Sequence, residues 1–208
     1  MSDLVFYTNP MSRGRIIRWM LEEVGQPYET VILDYGTTMK GADYLAINPM
    51  GKVPAIKHRD VVVTEAAAIC AYLADAFPQA GLAPPMGDPR RGTYYRWMFF
   101  AAGSIEAAVV NKQLGVEVPP ERKGMVGYGS YEDVMNGMEF ALSKGDYLLG
   151  DQFTAADLYF GSQVGWGLQF GTIDKRPVFE AYAARLLGRP AAVRAREIDD
   201  ALIPQPVS

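Results

Sequence analysis

The stretch Ile47-Asn48-Pro49-Met50-Gly51-Lys52-Val53-Pro54, continued by Ala55-Ile56-Lys57-His58 and, past a turn, by Val61-Val62-Val63-Thr64-Glu65-Ala66, decides how this chain folds. Residues Ala55 to His58 and Val61 to Thr64 lie either side of a tight turn and predict a hairpin. Pro54, directly before the first strand, would break a ladder if placed centrally, so it marks an edge or a bend. Glu65 opens an apolar helix predicted to run to Phe77. A bent loop offers main-chain groups to an extended peptide. A helix start offers free N–H groups and a positive dipole end to a carboxylate. Together they read as a grip for a peptide-like ligand with charged ends. The Glu65 carboxylate can accept from an α-ammonium group while the Ala66 amide faces the carboxylate. Ordinary charge placement at a helix start, worth about 0.3 to 1 kcal/mol, accounts for Glu65 equally well.

Toward the N-terminus, Leu4 to Tyr7 form a short apolar strand, and a Thr8-Asn9-Pro10 loop leads to Met11 and Ser12. From Arg13 to Val24 the apolar positions Ile17, Met20, Leu21 and Val24 recur at helical spacing, and Gly25 supplies a stop. A strand over Thr30 to Leu33 completes a β-α-β unit, for which parallel pairing and a right-handed crossover are expected. Arg18 and Glu22, at i and i+4, predict a surface ion pair. Toward the C-terminus, the run from Pro78 to Pro89 is rich in Pro and Gly and predicts neither helix nor strand. Beyond it the patterns are helical over Arg91 to Lys112, Tyr131 to Lys144, Ala155 to Phe170 and Val178 to Leu187. In Thr154-Ala155-Ala156-Asp157, Thr154 caps the third of these while Asp157 reaches back to the Thr154 amide, and Phe153 is expected to staple onto Leu158.

Composition narrows the function classes. The 208 residues carry a net charge of -4 and no broad basic run, which argues against nucleic acid as a partner. The apolar runs are short and interrupted, so no membrane span is expected. The Met1-Ser2-Asp3-Leu4 start lacks a signal-peptide pattern, so a cytoplasmic location is the default. With one cysteine, Cys70, and one histidine, His58, neither a Cys-x-x-Cys pair nor a zinc site of several His and Cys ligands is available, and no metal is expected. Cys70 reads as buried helix packing and His58 as an exposed loop residue.

The ordered motifs, from the strand leading to a Ser-bearing helix start, through Val53-Pro54 and Glu65-Ala66, to the Gly150-Asp151 pair and its Thr-x-x-Asp box, resemble the glutathione transferase superfamily of the cytosolic, bacterial type. The resemblance covers both halves of the chain. It implies an α/β thioredoxin-like domain, β-α-β-α-β-β-α, over residues 1–77, a linker over 78–87, and an all-α helical-bundle domain over 88–208. It implies a cis Val53-Pro54 bond and a glutathione site of Lys40, Lys52, Val53, Pro54, Glu65 and Ala66, the two lysines lying near the glycine end. Where the family commonly has Ser, this chain has Ala66, which keeps the amide and loses a hydroxyl donor.

Under the same resemblance Ser12 is the catalytic candidate. At a helix start its hydroxyl can donate to a thiolate, and such surroundings lower a thiol pKa from about 8.5 to roughly 3.5 to 7.5. Helix capping alone also explains Ser12, and Tyr7 and Asn9 are alternative donors. Met11, Arg96, Phe99, Phe100 and Gly103 are expected to form a hydrophobic substrate site. The implied activity is conjugation of glutathione, as co-substrate, to a hydrophobic electrophile by a homodimeric detoxification enzyme. A glutathione-dependent isomerase, peroxidase or disulfide reductase, and a non-catalytic binding or scaffold protein of the same fold, are the alternatives.

Overall fold

A computed structural model describes residues 3–203. The chain divides into two compact units, Met1–Ala80 with Arg189–Ser208, and Gly81–Gly188. The first holds a four-stranded sheet of order β2-β1-β3-β4, built from β1 (Leu4–Thr8), β2 (Glu29–Ile32), β3 (Ala55–His58) and β4 (Val61–Thr64). β1 and β2 run parallel, joined through α1 (Gly14–Val24), and the β1–β3 and β3–β4 pairs are antiparallel. The hairpin strands match the expected residues. α1 stops where Gly25 turns left-handed, its N–H donating to the Leu21 carbonyl. The α2 turn (Ala42–Leu45) and the α3 helix (Ala66–Ala76) complete the β-α-β-α-β-β-α order.

Alternation along the strands sets the core. Phe6 and Ile56 are paired across β1 and β3 and fully buried, with Ile17, Met20, Ile69 and Leu73 also buried on α1 and α3. Tyr7 and Ala55, the next pair, belong to a smaller cluster with Leu33, Met39 and Tyr44. Cys70 is buried in α3, as expected, and burial pushes its thiol above the usual range. His58 departs from expectation. It ends β3 half-buried, with Nδ1 2.9 Å from the Tyr72 hydroxyl and its ring against Phe77.

A helix absent from the sequence reading, α9 (Pro190–Ala201), packs against α1 inside this unit. Three ion pairs join them, Arg15–Asp200 at 2.5 Å, Arg18–Asp199 at 3.2 Å and Glu22–Arg194 at 3.3 Å, and a fourth ties Glu23 to Arg189, the residue before α9, at 2.7 Å. Numbers rise along one helix as they fall along the other, so the helices are antiparallel. The expected Arg18–Glu22 surface pair is corrected. Arg18 is 2% exposed and bonds Asp199, the Tyr28 hydroxyl and the Thr30 hydroxyl, while Glu22 accepts from Tyr28 and Arg194.

The second unit is helical. It contains α4 (Arg90–Phe100), α5 (Glu106–Gln113), α6 (Tyr131–Leu142), α7 (Ala155–Phe170) and α8 (Pro177–Leu187). The helix expected over Arg91 to Lys112 is interrupted by a π turn at Ala101–Ile105, whose small residues carry no signal readable beforehand. The Pro-rich run before α4 contains a 3₁₀ turn, Pro78–Ala80. The capping box forms as predicted. Asp157 is fully buried and accepts from the Thr154 and Leu148 amides at 2.9 and 2.7 Å and from the Tyr182 hydroxyl at 2.9 Å. Burial pushes its carboxyl upward against those bonds. On α7, Gly161 leaves room for the Leu186 side chain of α8, where a Cβ would collide. No helix among the described residues is long and apolar enough to cross a membrane.

Candidate functional site

Strand register brings the candidate residues to one end of the sheet. Tyr7 pairs with Ala55 and Ala55 pairs with Thr64. The loop that follows β1, the Val53-Pro54 bend that precedes β3 and the α3 start that follows β4 therefore share one edge. Three segments distant in sequence meet there because an antiparallel ladder aligns the exit of one strand with the entry of the next.

The loop after β1 is held from within. Asn9 is buried, donates from Nδ2 to the Leu33 carbonyl at 2.8 Å and accepts the Met11 amide at 2.9 Å. Its side chain thereby ties the loop to the end of β2. Ser12 Oγ donates to the Asn9 carbonyl at 2.7 Å and accepts the Gly14 amide at 2.9 Å, so it caps the first turn of α1. Its single proton must leave the Asn9 carbonyl before it can serve a ligand. Gly14 is obligatory at this contact, because a Cβ there would collide with the Thr8 hydroxyl. Tyr7 is half-buried with its ring centroid 5.7 Å from that of Tyr44. Met11, at the loop tip, is 70% exposed.

Val53-Pro54 is cis. The bend before it is clamped at the Lys52 carbonyl, which accepts the Tyr44 hydroxyl at 2.7 Å and Asn48 Nδ2 at 2.8 Å. Burial pushes the Tyr44 phenol up to about 12, so it stays a donor throughout the physiological range. Lys40 closes the loop from outside, its ammonium donating to the Gly51 carbonyl at 2.7 Å and the Met50 carbonyl at 3.3 Å. Lys40 is thus engaged in loop structure, whereas the Lys52 ammonium has no partner among the described residues. Neither the N–H nor the C=O of Val53 is hydrogen-bonded among the described residues. The sequence singled out Val53 and Pro54 but missed Tyr44 and Asn48, whose contacts lie several residues off and carry no motif.

At the start of α3 no side chain caps the helix. The N–H groups of its first turn are open to a ligand, with a dipole that favours an anion. Glu65 stands just outside it, exposed, at φ 67 and ψ 118, a conformation that a residue with a side chain rarely adopts. Its carboxylate has no partner among the described residues. A carboxylate without a partner, open main-chain amides and an unpaired backbone edge on Val53 are groups of the chemistry that could receive a cation, an anion and an extended backbone.

The remaining candidates lie in the second unit. The Arg96 guanidinium lies 4.5 Å over the Trp97 ring, Phe99 is 72% exposed, and Phe100 packs edge-on to Trp97 at 5.5 Å. Gly103 is exposed within the π turn. A cavity of about 420 Å³ in the same unit is lined by Ala108, Lys112, Val116, Tyr128, Ser130 and Tyr131, none of them predicted.

Residues 11–76 match the family model for the N-terminal domain of glutathione S-transferases. A glutathione S-transferase of Escherichia coli O157:H7 is 28% identical over 88% of this chain and 89% of its own length. Among solved structures, a glutathione transferase from Methylococcus capsulatus str. Bath is 32% identical, with a TM-score of 0.79 over 96% of this chain and 100% of its own. A sphingomonad glutathione S-transferase complexed with glutathione is 29% identical, with a TM-score of 0.76 over 94% of this chain and 98% of its own.

Proposed function

Because this chain belongs to the glutathione S-transferase superfamily, we propose that it binds glutathione at the sheet edge described above and joins its sulfur to a hydrophobic electrophile. The observation that carries the reading is the α3 start. Glu65 takes the γ-glutamyl ammonium, and the amides beginning at Ala66 take the γ-glutamyl carboxylate. The Val53 N–H and C=O pair with the cysteinyl backbone, as an added strand does. Lys52 offsets the glycine carboxylate. Lys40 serves the site indirectly, through its bonds to the Met50 and Gly51 carbonyls. The loss of a hydroxyl at Ala66 removes one bond and leaves the amide.

The thiol then reaches the start of α1. There the Ser12 hydroxyl turns from the Asn9 carbonyl to donate to sulfur, and the dipole of α1 favours the anion. The thiol proton leaves to solvent. The thiolate pair forms a carbon–sulfur bond to the electrophile, and the displaced group departs with the bonding electrons. Met11, exposed on the same loop, supplies an apolar surface for the electrophile. The protein lowers the thiol pKa and holds the reactants together, with no covalent enzyme intermediate. The same reading carries a cytoplasmic homodimer. Asn9 is a weaker rival to Ser12, since both ends of its amide already hold the loop.

Titrating bound glutathione by its ultraviolet thiolate absorbance in wild type and Ser12→Ala tests this. The expected result is a wild-type thiol pKa below about 7.5 that rises in the variant while glutathione still binds. Absence of glutathione binding to the wild type overturns the function, and an unchanged pKa transfers the role to Tyr7 or Asn9.

A further inference from the structure

Two charges in the first unit stand where their own helices disfavour them. Arg15 is the second residue of α1, and a cation beside a helix N-terminus opposes the dipole. Asp200 is the penultimate residue of α9, where an anion opposes the dipole in the same way. Neither placement is explained by helix stability. Both are explained by each other and by a third group. Arg15 donates from one guanidinium nitrogen to Asp200 Oδ1 at 2.5 Å and from Nε to the Pro10 carbonyl at 2.6 Å.

Pro10 lies between Asn9, whose carbonyl takes the Ser12 hydroxyl and amide, and Met11, whose amide is held by the Asn9 side chain. The loop that aims Ser12 is therefore fixed on one side to the end of β2 through Asn9, and on the other to α9 through Arg15. We infer that Asp200 is a positioning residue for the thiolate site, acting through Arg15 and the Pro10 carbonyl on the direction in which Ser12 points. This rests on the reading of Ser12 as the thiol's donor. Asp200 itself touches neither glutathione nor the reacting atoms. Its side chain is 54% exposed and that of Arg15 is 26% exposed, and pairs so accessible add little to global stability. Truncating Asp200 thus leaves the fold in place while freeing the guanidinium, after which the Pro10 carbonyl loses a partner of fixed direction.

The test compares Asp200→Ala and Asp200→Glu with wild type. A small misplacement of a catalytic group costs up to about 100-fold, and a partial loosening is expected to raise the bound thiol's pKa by about one unit, which at a pH below the wild-type value costs about tenfold in kcat. At a pH below the wild-type bound thiol's pKa, where glutathione binds as the thiol, its KM stays as in the wild type, since the grip at Val53 and Glu65 is untouched. The thermal midpoint stays close to wild type, Asp200→Glu restores most of the loss, and amide hydrogen exchange quickens at Met11 to Gly14 in Asp200→Ala. Unchanged thiol pKa and kcat in Asp200→Ala overturn the inference. So does a loss of stability and activity together that Asp200→Glu does not repair. Failure of the wild type to bind glutathione sinks the functional reading instead, and the exchange rates at Met11 to Gly14 still decide whether Asp200 restrains the loop.

Discussion

Glu65 concentrates the cost of building the site into one residue. Its φ of 67 with ψ 118 lies where a Cβ is crowded, at an expense of about 1–3 kcal/mol. Its side chain bonds nothing among the described residues in return. Glu65→Gly removes the crowding and adds about 0.5–1 kcal/mol of backbone entropy cost. A net stabilisation of about 1 kcal/mol is expected, seen as a thermal midpoint higher by about 2–4 °C. Under the proposed grip, glutathione affinity is expected to fall in the same variant, because the ammonium would lose its carboxylate. Glu65→Gln separates the two effects: it keeps the strained backbone and wild-type stability, and loses affinity. Thermal unfolding with equilibrium binding on both variants decides the matter, and a Gly variant less stable than wild type refutes the assignment of strain.

Between elements, the α1–α9 pair is governed by one buried interaction. Arg18 and Asp199 are 2% and 1% exposed, and the Arg18 guanidinium also lies over the Phe6 and Tyr28 rings at 5.0 and 5.5 Å. Removing one partner strands a charge in a dry interior, so Asp199→Ala is expected to cost about 3–5 kcal/mol. The double change Arg18→Met with Asp199→Leu strands nothing and recovers most of that loss. Urea unfolding of the three proteins measures both figures, and a double variant no better than the single one contradicts the account. The same pair shows what sequence could convey. Strands β3 and β4, helix α7 and the Thr154 box were legible because alternation, helical period and capping are local. Arg18 was misread because Glu22 stands four residues away and Asp199 stands 181 away. Helix α9 was missed because its buried face is Ala191, Ala192, Ala195 and Asp199, small residues and a charge that make no apolar stripe. At the site, Val53-Pro54 and Glu65 carried a motif. The Tyr44 and Asn48 clamps on the loop carried none, and Lys40, expected near the glycine end of glutathione, instead holds the Gly51 and Met50 carbonyls; each acts on a backbone carbonyl that any residue supplies.

At the scale of the whole chain, the first unit is stitched from both ends of the sequence, and its closure depends on α9 returning to α1 after the helical unit has been made. Contacts between such distant segments form late, after much chain entropy has been lost. Ending the chain at Gly188 tests how stability is distributed. The shortened protein lacks all four ion pairs to α1, uncovers the face met by Ala191, Ala192 and Ala195, and leaves the Arg18 guanidinium without its anion. Residues 81–188 keep their own core, with Tyr94, Phe160, Phe179 and Leu186 buried and Asp157 bonded within the same unit. Amide exchange is therefore expected to quicken selectively over Leu4 to Val24, with protection in α7 and α8 retained. Unfolding followed by fluorescence should split, Trp19 reporting an earlier transition than Trp97 and Trp166. A single coincident transition in the shortened chain would mean that the two units share one cooperative core, and that α9 stabilises the molecule as a whole and not the unit that carries the site.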